Sequence, residues 1–186
     1  MEFSAYADWA IALANSVEKP GHQDALSSVD GLKAFLKEVT HGGHQAGRAD
    51  LAPLRDIRDQ VRGVFEANAP SVAASRLNQV FAVSEFAPHM AYSSEQGWHL
   101  HPASSKTPTW RWLAAACGLG LTYLLMDYGA DRLGVCASPE CRNVFLDLSR
   151  PNIKRFCSAR CANRAHTNAF RRRGRVAARR SGFGPG

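Results

Sequence analysis

The sequence predicts a mainly α protein, a helical N-terminal domain with a small β-hairpin followed by a small β/α module. Three observations carry that reading. Apolar residues recur every three or four positions through most of the first 130 residues, the period of helices that bury one face. Four of the five cysteines, Cys136, Cys141, Cys157 and Cys161, crowd into a short stretch near the C-terminal end. The 186 residues carry a net charge of +7, but residues 1–131 hold 10 basic and 14 acidic side chains, whereas residues 132–186 hold 13 basic and two acidic ones. The chain therefore divides into an acidic helical domain over 1–131, a cysteine-bearing module over 132–173 and a basic tail over 174–186. The tail lacks a hydrophobic pattern and is predicted to be disordered in the unbound protein.

In chain order, Phe3, Tyr6, Ala10, Leu13 and Val17 form the first apolar stripe, ended by Pro20 and Gly21. Asp30 is placed to N-cap a short helix that buries Leu32, Phe35, Leu36 and Val39, and the Gly-rich stretch from His41 to Gly47 reads as a loop. A longer helix follows, with Leu51, Leu54, Ile57, Val61, Val64 and Phe65 on one side and a mixed-charge face of Arg55, Asp56, Arg58, Asp59 and Arg62 on the other. Another spans Ser71 to Ser84 and uses Leu77, Val80 and Phe81. Met90 to Ser93 and Trp98 to His101 flank the turn composition Ser94-Glu95-Gln96-Gly97, which predicts a β-hairpin. Thr107-Pro108-Thr109 then starts a helix of about Thr109 to Gly129. It is apolar on two sides, as in a central core helix or one that also serves a subunit interface.

Several classes fall away. The longest apolar run, Trp112 to Met126, is shorter than the roughly 20 residues of a spanning helix and is bounded by Arg111 and Asp127. The opening Met-Glu-Phe, with Asp8 ahead of any basic residue, reverses the layout of a secretory signal, so the expected location is the cytoplasm. Thiols stay reduced there, and a tight cysteine cluster reads as a metal site before a disulfide framework.

The cysteine spacing is C-x4-C, fifteen residues, then C-x3-C. Two short-spaced pairs joined by a loop supply the tetrahedron of soft ligands that one Zn²⁺ takes, making this a zinc-bound β/α module. Four thiolates leave no open position for water, so the zinc is predicted to be structural and the protein not an enzyme. Val144, Leu146 and Leu148 alternate with Phe145 and Asp147 as in a strand leaving the first pair. Ser158 to Arg173 lacks Pro and Gly and reads as a helix with Cys161 in its opening turn. So short a segment has little core of its own, and metal binding should supply much of its folding free energy, its loss leaving the helical body intact. His166, five residues beyond Cys161, is an alternative fourth ligand. Cys117, alone in the apolar helix, reads as a small buried hydrophobe.

Cys136-Ala-Ser-Pro-Glu-Cys141, Phe145-Leu146-Asp147, Ser149-Arg150, Arg155-Phe156-Cys157-Ser158 and Cys161-Ala162-Asn163-Arg164-Ala165 resemble the CGNR zinc finger of bacterial proteins. That finger is named from the stretch written here as Cys161 to Arg164. Ile11-Ala12-Leu13-Ala14-Asn15-Ser16-Val17 looks like the opening motif of the ABATE domain, the helical module that usually precedes the finger in proteins described as stress-induced transcription regulators. The resemblance implies a regulator whose body senses a ligand or dimerises and whose finger reaches a promoter. The chain departs from the family pattern at Ala162 in place of Gly, Phe156 in place of the common Trp, and His166 in place of a basic residue. In a helical first turn Ala is the better residue; His166 would make one phosphate contact dependent on pH.

With four thiolates on Zn²⁺ the basic end still carries about +9. Its cations Arg142, Arg150, Lys154, Arg155, Arg160, Arg164, Arg171, Arg172, Arg173, Arg175, Arg179 and Arg180 are all Arg but one, and a guanidinium pairs bidentately with phosphate or a guanine edge. The expected partner is double-stranded DNA, with Asn163 or Arg164 facing bases and Arg171 to Arg180 tracking phosphates; structured RNA is the second candidate. Asn163 and Arg164 equally suit a structural role, the amide bonding a thiolate or backbone group and the guanidinium closing onto an acidic body residue. Two half-sites multiply the affinity of one small module, so a homodimer is expected. No membrane partner is expected, and residues binding a small-molecule effector are not marked in the sequence. A nuclease using His166 and Asn168 lacks a carboxylate or second histidine near them. His89, His99 and His101 around Trp98, and His41-Gly42-Gly43-His44, read as ordinary side chains before metal sites.

Overall fold

The computed structural model describes residues 3–17, 23–40, 45–95, 97–104 and 106–181, with residues 172–181 by backbone alone. The helical body comprises α1 (Phe3–Ala14), α2 (Val29–Thr40), α3 (Arg48–Phe65), α4 (Pro70–Ser84), the hairpin strands β1 (His89–Ser93) and β2 (Gly97–His101), and α5 (Thr109–Asp127). The C-terminal module comprises β3 (Leu133–Val135), β4 (Val144–Leu146) and α6 (Ala159–Ser181).

The most apolar helix lies at the centre. α5 is buried on every side from Trp112 to Gly118, and α1, α3 and α4 pack around it. A Cβ at Gly120 would sit 2.2 Å from the Tyr6 carbonyl carbon, so glycine lets α1 lie directly on α5. Trp9 and Trp112 pack beside this crossing, ring centroids 5.6 Å apart. Toward the C-terminal end of α5 the second apolar stripe emerges, and Met126 is exposed. No helix among the described residues is long and apolar enough to cross a membrane.

The N-cap of α2 is Ser28 and not Asp30. Ser28 Oγ accepts the Gly31 N–H at 3.0 Å, and the Ser28 carbonyl accepts the Leu32 N–H, so the helix begins ahead of Asp30. That carboxylate lies instead in the first turn, where the helix dipole favours it.

The mixed-charge face of α3 is not a solvated face. Arg55 donates to the Leu26 carbonyl through Nε at 3.1 Å and Nη2 at 2.7 Å. Arg58, with only 8% of its side chain exposed, donates to Asp24 Oδ1 at 2.7 Å. Arg62 donates to the Ala14 carbonyl at 3.3 Å and also to the Arg142 carbonyl. Only Asp56 and Asp59 point to solvent as the pattern suggests. Helical periodicity records which side is apolar; it cannot show that long side chains reach loops lying over the other side.

β1 and β2 pair antiparallel, with His89 opposite His101 and Tyr92 opposite Trp98. The Tyr6 hydroxyl donates to the Leu100 carbonyl at 3.1 Å and ties the hairpin to α1. β3 and β4 form a second antiparallel pair, Leu133 opposite Leu146. Leu133 and Val144 belong to the core around α5, whereas Phe145 packs with Cys136 and Cys161. One face of this small sheet thus completes the body and the other begins the cysteine module. A Cβ at Gly134 would come within 2.9 Å of the Phe145 ring. The strand expected to reach Leu148 stops at Leu146, because the Asp147 carboxylate turns inward to accept the backbone N–H groups of Ser149 and Lys154. Asp147 is buried and Leu148 exposed, the reverse of simple alternation.

α6 runs through Gly174 to Ser181, past the end expected at Arg173. Arg and Ala are strong helix formers and a single Gly costs only about 1 kcal/mol, so a missing hydrophobic pattern does not stop the helix. Residues 182–186 of the predicted tail, the His41 to His44 stretch, and Pro20 with Gly21 lie outside the described residues.

Candidate metal centre and basic surface

Two backbone devices converge the cysteine pairs. Cys136, leaving β3, donates its N–H to the Asn143 carbonyl at 2.7 Å, and the Cys141 N–H closes a turn on the Ser138 carbonyl at 3.0 Å. Arg142 continues that turn in the left-handed region, φ +52°. For the second pair, Ser158 Oγ accepts the Cys161 N–H at 3.3 Å as the N-cap of α6. Cys161 therefore sits in the opening turn, as the sequence predicts. Between the pairs, Asp147 holds the loop from within, and the Ala137 N–H donates to the Arg155 carbonyl at 2.8 Å.

All four Sγ atoms lie within 4.8 Å of one another, with Cys141 and Cys157 3.6 Å apart and Cys157 and Cys161 3.7 Å apart. A tetrahedron with Zn–S bonds of about 2.3 Å has edges of roughly 3.8 Å. The residues fit one Zn²⁺, and the cluster is a structural zinc site. His166 stands edge-on to Phe156 with ring centroids 6.2 Å apart and is not among the converging ligands. Without metal the thiols differ. Burial, then hydrogen bonding to Cys141, Cys161 and Cys136, pushes Cys157 up to about 12. Burial likewise raises Cys141. The Ser158 hydroxyl, with help from neighbouring thiols, outweighs desolvation and holds Cys161 down at about 7.

Arg164 reaches across the cluster. Its Nη1 donates to Glu140 Oε2 at 2.9 Å, and its Nη2 lies 4.0 Å from Cys161 Sγ. It joins α6 to the first cysteine turn, and its acidic partner belongs to that turn and not to the body. Lys154 Nζ lies 5.1 Å over the Phe145 ring and the Arg155 guanidinium 5.9 Å over Phe156. Arg142 is drawn toward α3, 3.9 Å from Glu66. Arg150, Arg160, Asn163 and Arg171 are exposed. Helical spacing brings Arg160, Arg164 and Arg171 onto one face of α6. The side chains of Arg172 and Arg173 lie outside the described residues.

Elsewhere, His89 stacks on His101 at 5.1 Å and His99 meets His101 edge-on at 4.9 Å. Among the described residues, however, only the four cysteines converge as metal ligands. Cys117 is fully buried in α5, and burial pushes its thiol upward.

The family model of the CGNR zinc finger matches residues 132–174. The ABATE model, described as "Putative stress-induced transcription regulator", matches residues 7–127. The chain belongs to the ABATE family. No curated protein matches it. In this ABATE protein the Ala162 N–H bonds the Ser158 carbonyl at 3.1 Å, an ordinary helical first turn in which Ala replaces Gly without strain. The opening motif of the domain also holds a residue that spacing alone does not reveal. Asn15, one position past the end of α1, bonds both backbone groups of Val144 in β4; an Asn at that place reads in sequence as an ordinary helix cap. Arg62 is the second such residue, hidden in a charged stripe.

Proposed function

We propose that this ABATE protein binds double-stranded DNA through its CGNR finger and regulates transcription from there. The observation that supports this most is α6, an Arg-rich helix without an acidic residue, capped by Ser158 and held near the cysteine cluster, that among the described residues packs extensively on no other element. A helix about 10–12 Å across suits the major groove. Arg160 and Arg171 would meet phosphates or guanine edges from one face, Asn163 would meet bases beside them, and Arg172 and Arg173 would extend the charge. Arg150, Lys154 and Arg155, in the loop before α6, would track the backbone.

In this reading the zinc aims the helix and catalyses nothing, since four thiolates leave no site for substrate or water. The protein works in the cytoplasm as a homodimer. An effector would bind the cavity of about 410 Å³ at the joint of body and finger, which Asn15, Glu38 and Asn143 help to line. Selection from a random duplex pool, followed by competition against structured RNA, tests the reading. Enrichment of a duplex motif is expected, with affinity falling by about 0.9 log units per decade of salt for each phosphate neutralised. Preference for the RNA would make the finger an RNA-binding module, and a flat salt response would end the polyanion argument.

A further inference from the structure

The hairpin is built inside out. Its register places Met90, Tyr92, Trp98 and Leu100 on one face and the three histidines with small residues on the other. A two-stranded sheet on a helical body ordinarily turns its apolar face to the core. Here His99 and His101 are half-buried and His89 is exposed, whereas on the other face only Leu100 is half-buried and Met90, Tyr92 and Trp98 are 59%, 66% and 72% exposed. The rings of Tyr92 and Trp98 lie 5.3 Å apart, so the exposed surface is continuous. We propose that a second copy of the chain docks here, hairpin against hairpin about a twofold axis. This rests on the homodimer of the proposed function and gives it a location.

Charge, area and composition favour a second copy over other occupants. Glu95, in the turn, is the only Asp, Glu, Lys or Arg between His89 and His101, so a partner chosen by charge finds nothing to complement. Self-pairing sets like against like, and a patch with so little charge adds little local repulsion between two bodies of net charge −4 each. A covered Tyr or Trp contributes roughly 150–250 Å². Doubled by a twofold axis, with Met90 added, the patch reaches on the order of 1,000 Å², the lower bound for a specific interface. Tyr, Trp and Met are also the residues enriched at the centres of such interfaces. The expected assembly is a reversible dimer with dissociation in the micromolar range.

Sedimentation velocity of the full-length, zinc-loaded chain without DNA, over about 1–100 μM, should show a monomer–dimer equilibrium. Trp98→Glu should weaken it at least about thirtyfold, with helix content and zinc stoichiometry unchanged. Tyr92→Glu should act in the same direction, and Met126→Glu, on α5, should not. A monomer throughout that range, or a dimer that both hairpin variants leave intact, overturns the proposal. Binding of each variant to a short duplex carrying one site, measured separately, distinguishes the two readings: a monomeric Trp98→Glu protein that keeps its single-site affinity supports both, whereas a dimer with no DNA affinity sinks only the DNA reading.

Discussion

Asn15 occupies the place of a third strand beside Val144, its amide nitrogen donating to the Val144 carbonyl at 3.0 Å and its Oδ1 accepting the Val144 N–H at 2.8 Å. One side chain thereby satisfies both backbone groups of a residue buried in the common core. Asn15→Ala strands that pair, and urea denaturation should show a loss of about 1–3 kcal/mol. Asn15→Asp keeps the acceptor but sets a carboxylate oxygen against the Val144 carbonyl, and at neutral pH should cost at least as much as the alanine. Unchanged stability in the alanine variant would mean that water replaces the amide at no cost.

Zinc loss should be felt beyond the finger. Leu133 and Val144 pack into the core around α5, so the body is not independent of the module that supplies them. Cys157→Ser is expected to release the metal, reduce the helical signal of α6 and lower the melting midpoint of the remaining body by about 2–4 °C for each kcal/mol of packing lost. A body transition at the parent temperature would restore two independent units.

Metal uptake is linked to protons. In the metal-free cluster, burial first of all holds Cys157 at about 12 and raises Cys141, so both carry protons at neutral pH that Zn²⁺ must displace. Calorimetry in buffers of different ionisation enthalpy should record at least two protons released, and affinity should fall as pH falls. Fewer than two would show that the cluster is already ionised.

Asp24 and Arg58 make the body sensitive to acid. Burial alone would raise the Asp24 carboxyl, but hydrogen bonds from Arg58 and the Leu26 N–H, with the charges of Arg58 and Arg55, hold it below the ordinary value. A carboxylate lowered by folding adds stability above its unfolded pKa of about 3.9 and loses it as pH falls through the lower folded value. Stability should therefore decline below about pH 4, and Asp24→Asn should flatten that limb. Asp24→Ala leaves the buried Arg58 with only long contacts, to Asp59 at 4.0 Å and Ser16 at 3.5 Å. Its cost should be about 3 kcal/mol, the low end for a buried pair, because the Asp24 side chain keeps 23% exposure.

Arg164 and Arg171 share a face of α6 but have different surroundings. Arg171→Ala should weaken DNA binding and lower the salt slope by about 0.9, with zinc retention unchanged. Arg164→Ala should chiefly hasten zinc loss to a chelator, since its guanidinium bridges Glu140 and Cys161. Arg164→Lys, which lacks the planar fork, should restore this only in part. Equal loss of salt slope in both alanine variants, with zinc retention intact, would make Arg164 a phosphate contact.

The helices of the body were legible because each buries one apolar stripe, α1, α3 and α4 against α5 and α2 against α1 and α3, and the ligand set because thiolate spacing has few other uses. Contacts across polar surfaces were not. Arg55, Arg58 and Arg62 look like a solvated face until loops are laid over them. Asn15 looks like a helix end until β4 arrives beside it. Asp147 looks like an outward strand residue until its carboxylate gathers two loop N–H groups. The C-terminal reach of α6 was misread for another reason: propensity sustains a helix in Arg and Ala where no apolar stripe announces one.

At about 1.5 Å per residue the 23 residues of α6 span roughly 34 Å, and Cys161 holds them near one end. Such a rod is a lever whose fulcrum is the metal. A rotation of about ten degrees at the thiolates sweeps the tip, about 30 Å beyond Cys161, through roughly 5 Å, close to the rise of one helical turn and about one and a half base-pair steps. Glu140 and Arg164 set the angle one turn from the pivot, while Arg62 grips the turn that carries Cys141 and Asn15 grips β4, the partner of the strand that leads into Cys136. A small adjustment at that grip would displace the distant arginines far more, so in the proposed DNA-binding role the thiolate cage would bear on aim as well as stability.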